Sequence, residues 1–196
     1  ALKGAPAPDE KIDISKFDDG IKIDGNNRND YDYKTITGTS SPDNNLIISG
    51  GVTLHLTIEN LVINRKDGSY SNLRYGAIEI RDNSTLYLTL KGNNTLNGND
   101  ESGGAGIRVE AGNTLIITEE SDGSLKAIGG NGRGSAAGIG AGNCNYSAEG
   151  GSYDQIKPSL GTIIVRGGTI EAQGGNSYTS GNVVLTFSIV SLKLFL

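Results

Sequence analysis

The chain has one cysteine, no methionine, no tryptophan and only four prolines in 196 residues. The single Cys144 excludes an intrachain disulfide, and with it a disulfide-dependent secreted scaffold, though not secretion itself. Aromatic residues are 6% of the chain, too few for a compact core built on rings. Positive charge is also short: 17 Lys and Arg face 22 Asp and Glu, for a net charge of −5. With no basic stripe, nucleic acid and anionic membrane surfaces are not expected as partners. The apolar stretch 183–196 falls short of the about 20 residues that a membrane-spanning helix needs, so no transmembrane span is expected.

What the chain has in quantity is glycine, 30 residues of it, together with many Asn, Asp and Ser. That composition suits a narrow aliphatic core wrapped by frequent turns. The stretch from Gly76 to Gly130 shows how the core is patterned. Ile78, Ile80, Leu86, Leu88 and Leu96 align with Ile107, Val109, Leu115, Ile117 and Leu125, each pair 29 positions apart. Upstream, Val52–Ile58 aligns with Ser84–Leu90 at an offset of 32, and downstream Ser124–Ala127 aligns with Thr169–Ala172 at 45. A recurring unit of about 20–50 residues marks a solenoid, propeller or array. Each unit here has too few apolar residues to close a core alone, so the units must stack, with insertions leaving at the corners.

This pattern predicts an all-β chain: a single-stranded right-handed parallel β-helix of about four to five coils. Within each strand, alternate side chains point in and out, so Leu54, Leu56 and Ile58 face the core while Thr53, His55 and Thr57 face outward. Residues 1–10 read as a flexible tether, left after removal of a signal segment. Residues 11–45 read as an N-terminal capping hairpin or partial coil, and 46–182 as the β-helix. Residues 183–196 read as an apolar strand capping the open end.

The phrases Ala105-Gly106-Ile107, Ala137-Gly138-Ile139-Gly140 and Gly161–Gly175 carry a resemblance. Over residues 46–176 the chain resembles the right-handed β-helix repeats of bacterial surface proteins of the carbohydrate-binding-domain-containing type, on a pectate-lyase-like scaffold. The resemblance implies an extracellular or cell-surface protein that binds a polysaccharide or a host or cell-surface glycan, in some members with calcium.

Candidate chemistry falls into three groups. Tyr31, Tyr33, Tyr70, Tyr75, Tyr146 and Tyr153 lie in loops, where rings can hold a glycan. Asp100, Glu101, Glu119, Glu120 and Asp122 form two acidic corners whose oxygens suit Ca²⁺, although neither is an EF-hand. Glu79, Arg81, Arg108 and Glu110 are expected on the outer surface of adjacent coils, a charge ladder that fixes register. His55 has no second His or Cys nearby and suggests no zinc site. No set of residues makes a catalytic constellation. The expected function is therefore a non-catalytic extracellular carbohydrate-binding module. A polysaccharide lyase or hydrolase on the same scaffold, and a structural stalk or adhesin segment, are the alternatives.

Overall fold

The computed structural model describes residues 10–65, 76–98, 103–131, 136–141 and 160–176, and the backbone of 186–190. The strands in chain order are β1 (Lys11–Asp13), β2 (Ile21–Ile23), β3 (Lys34–Thr39), β4 (Leu46–Ile48) and β5 (Thr53–Asn64). They continue as β6 (Ile78–Ile80), β7 (Thr85–Lys91), β8 (Asn93–Asn97), β9 (Ile107–Val109) and β10 (Thr114–Ile117). The last are β11 (Ser124–Ile128), β12 (Ile139–Gly140), β13 (Thr162–Val165), β14 (Thr169–Gln173) and β15 (Thr186–Val190). A four-residue helix, α1 (Arg28–Tyr31), and a 3-10 turn, Ile14–Lys16, interrupt the first part of the chain.

The described residues are mostly β, and their strands form parallel ladders. One ladder runs β12-β9-β6-β4-β2. The other sheet runs β13-β10-β7-β5 along one arm and β5-β8-β11-β14 along the other, so β5 belongs to both. Each repeat thus gives one strand to each of three ladders. Residues 11–45 do not form a hairpin: β2 pairs parallel with β4, and β1 and β3 pair parallel with one another. β15 is the exception, antiparallel to β14.

Register follows the alignment read from the sequence for most positions. Ile78 pairs with Ile107, Ile80 with Val109, Leu86 with Leu115 and Leu88 with Ile117. Leu96, however, pairs with Ala127, and Leu125 pairs with Asn94, so the offset there is 31 rather than 29. The two extra residues are absorbed between β10 and β11. Thr118 N–H still bonds the Leu88 carbonyl at 2.9 Å, but the Leu90 carbonyl is met by the N–H groups of Asp122 and Gly123, at 3.2 and 3.0 Å. Ser121 takes the place that Leu90 has one repeat earlier, and its Oγ accepts the Leu90 N–H at 3.0 Å. Glu119 and Glu120 form the resulting bulge.

The inward columns are continuous. Leu54, Leu86 and Leu115 stack in one, Leu56, Leu88 and Ile117 in the next, and all are buried. Burying each such side chain contributes about 1.5–3 kcal/mol. Corners are closed by polar side chains that satisfy buried backbone groups. Asn113 accepts the Ser84 N–H at 2.9 Å and donates to the Glu110 and Ala111 carbonyls at 3.1 and 3.2 Å. Asn94 accepts the Leu61 N–H and donates to the Lys91 and Ser124 carbonyls, each at 3.0 Å. The corner joining β7 to β8 needs a left-handed residue, and Gly92 supplies it at φ 59°. In the preceding repeat, Asn60 takes that conformation at φ 50°, and β5 runs on through the corner.

Candidate functional site

The outer face of the β5, β7, β10 and β13 arm is organised in columns. Thr53, Thr85, Thr114 and Thr162 form one, and His55, Tyr87, Ile116 and Ile164 the next. Thr57 pairs with Thr89, and the Thr89 hydroxyl bonds the Thr118 hydroxyl at 2.8 Å. Ile116 lies in this outer column yet is buried, between Tyr87 and Ile164.

Tyr33 completes the aromatic column from outside the repeat. Its ring stacks on His55 with centroids 4.5 Å apart and planes 5° apart, and His55 stacks on Tyr87 at 4.7 Å and 17°. α1 and the segment after it hold this arrangement. Arg28 donates to the Thr53 carbonyl at 2.5 Å and pairs with Asp32 at 2.8 Å. Asp32 Oδ1 accepts the His55 backbone N–H at 2.8 Å and lies 3.1 Å from His55 Nδ1. Tyr33 then turns at φ 63°, a conformation that costs a non-glycine residue about 1–3 kcal/mol, and its N–H donates to the His55 carbonyl at 2.7 Å.

A groove of about 400 Å³ runs along this face. Its lining includes the rings of Tyr33, His55 and Tyr87, the threonines Thr57, Thr89 and Thr118, and Glu119, Glu120 and Arg166. The Glu120 carboxyl is held below the usual carboxylate range by its own backbone N–H and the Thr118 hydroxyl, then by Arg166 and Lys91. The β10–β11 bulge thus presents two carboxylates at the groove.

The expected site residues divide accordingly. Tyr33 lines the groove, while Tyr31 packs half-buried against the core. Tyr70, Tyr75, Tyr146 and Tyr153 lie outside the described residues, as do Asp100 and Glu101. Of the acidic corner, Glu119 and Glu120 meet the groove and Asp122 pairs with Lys91 at 2.9 Å. Among the described residues, no three His, Cys, Asp or Glu side chains come together to hold a metal ion.

The charge ladder differs from its expected form. Glu79 is not on the outer surface: it is 0% exposed. Its Oε1 accepts the Gly76 N–H at 3.0 Å, and its Oε2 accepts from Arg81 Nε at 2.6 Å. Arg108, on the neighbouring strand as expected, stands 3.7 Å from Glu79 and also pairs with Glu110 along its own strand. The two guanidiniums and a backbone turn close over the carboxylate, which is why it leaves the surface. Burial pushes the Glu79 carboxyl up, against the opposing pull of Arg81 and Arg108.

His55, Tyr87 and Asp32 were not expected as binding residues. The offset of 32 already set His55 beside Tyr87, so that pair was readable from the sequence; the approach of Asp32 and Tyr33 was not. No family model matches the chain, and no curated protein and no solved structure matches it.

Proposed function

We propose that the three ladders are the walls of a single right-handed parallel β-helix of four to five coils. On that scaffold the chain acts as a non-catalytic extracellular or bacterial cell-surface module that binds a glycan. The groove beside Tyr33, His55 and Tyr87 carries this reading. It combines rigid rings, three threonine hydroxyls, two carboxylates and one guanidinium along a repetitive wall. Glycan recognition needs apolar ring surface beside closely spaced hydrogen-bonding groups, and a concave site with few polar groups supplies both. The free face of Tyr33, which is 60% exposed, offers a platform for a sugar ring.

The test is calorimetric titration with neutral glucans and with oligogalacturonate, each with and without Ca²⁺, while ultraviolet absorbance follows any unsaturated product. Saturable heat without product is the expected result, and its calcium dependence decides whether a metal takes part. Product formation would instead favour a lyase. Absence of both heat and product would favour the structural stalk.

A further inference from the structure

Resting on the glycan reading above, we infer that the groove selects uncharged, hydroxyl-rich sugars over uronates, with His55 Nε2 as the acceptor at its centre. Three observations lead there. First, Asp32 fixes the proton on the His55 ring. An ionised carboxylate only accepts hydrogen bonds, so the ring nitrogen facing it, Nδ1, must be the donor, 3.1 Å from Oδ1. In the neutral ring, Nε2 is then an acceptor, and among the described residues it has no hydrogen-bond partner.

Second, both faces of the His55 ring are covered, one by Tyr33 and the other by Tyr87. A ligand therefore meets this ring at its edge, by hydrogen bonding rather than by stacking. The side chain is 33% exposed, so that edge is reachable from the groove. A sugar hydroxyl donates to such an edge.

Third, carboxylates outnumber guanidiniums in the charged lining, beside threonine hydroxyls that both donate and accept. Glu119 and Glu120 only accept when ionised, and the one guanidinium, Arg166, already acts on Glu120. Sugar hydroxyls donate to both carboxylates and to Nε2. A uronate brings a further carboxylate to a groove with two of them, where like charges repel.

The experiment compares cellohexaose with hexagalacturonate by calorimetry, on the full chain and on its His55→Phe variant. Phenylalanine keeps a ring between Tyr33 and Tyr87 and removes the acceptor. Long-range ¹⁵N–¹H spectra of the unsubstituted protein report which ring nitrogen carries the proton, with or without any sugar. The expected results are a proton on Nδ1, cellohexaose bound at least about tenfold more tightly than hexagalacturonate, and about a tenfold loss of cellohexaose affinity in His55→Phe. Equal or tighter binding of the uronate overturns the selectivity while leaving the glycan reading in place. A proton on Nε2, or an unchanged affinity in His55→Phe, overturns the role of His55. Heat from neither sugar overturns the glycan reading and this inference together.

Discussion

Tyr33 and His55 are joined twice, by the 2.7 Å bond from the Tyr33 N–H to the His55 carbonyl and by ring stacking at 4.5 Å. The backbone bond holds Tyr33 at φ 63°, a conformation that glycine adopts without cost. Replacing Tyr33 with glycine relieves that strain while removing the ring. Tyr33→Gly should therefore change unfolding free energy by no more than about 1 kcal/mol, since strain relief offsets the lost stacking. The same variant should lose at least about tenfold in glycan affinity. Urea unfolding and calorimetric titration of one preparation give both numbers.

At the corner between β7 and β8, a Cβ placed on Gly92 would strike the Asn60 side-chain amide of the repeat below. That amide oxygen also accepts the Asn93 N–H at 3.1 Å. Gly92→Ala therefore meets both an unfavourable φ and a steric collision. A destabilisation of about 2–4 kcal/mol is expected from chemical denaturation. Gly25, with nothing near its Cβ and no positive φ, is the control: Gly25→Ala should stay within about 0.5 kcal/mol.

Asn113 is buried and bridges two repeats with three hydrogen bonds. Alanine there leaves the Ser84 N–H without its side-chain acceptor and two carbonyls without their amide donor. Asn113→Ala should cost about 2–4 kcal/mol. Amide exchange should show faster opening at Ser84 than at Leu54, whose neighbours are untouched.

The Glu79 carboxyl has its pKa raised by burial above its ordinary value of 4.5. The folded state then holds this proton over a range where the unfolded chain has released it. Its contribution to stability is fully present below about 4.5 and is lost as pH rises through the raised folded value. Glu79→Gln removes the titration and keeps an oxygen to accept the Gly76 N–H. The unsubstituted chain should therefore lose more stability than Glu79→Gln between pH about 4 and pH about 7, measured by urea unfolding at each.

Much of the scaffold was legible because alternation and stacking leave a periodic trace. Leu54, Leu86 and Leu115 are buried in register because each repeat must supply one aliphatic side chain at that height. The slip at Leu96 was hidden because Leu125 and Ala127 both point inward, so either one satisfies the pattern that Leu96 presents. Glu79 was misplaced for a related reason. Alternation on β6 does put it opposite the Ile78 and Ile80 side, but alternation is blind to what covers the outer surface. Arg81, Arg108 and the Gly76 turn bury it there. The groove was legible only in halves. His55 beside Tyr87 follows from the repeat, whereas Tyr33 and Asp32 reach them from a segment that lies outside the repeat pattern.

The Glu119–Glu120 bulge has a consequence for how such a chain can change. Strand side chains alternate with a period of two, so lengthening a repeat by two residues leaves Leu125 and Ala127 facing the core. Lengthening it by one would carry Lys126 inward and turn those two outward. Paired insertions are thus a parity-conserving route to variation. They add chemistry to the groove, here two carboxylates, while every side chain beyond them keeps its side of the wall.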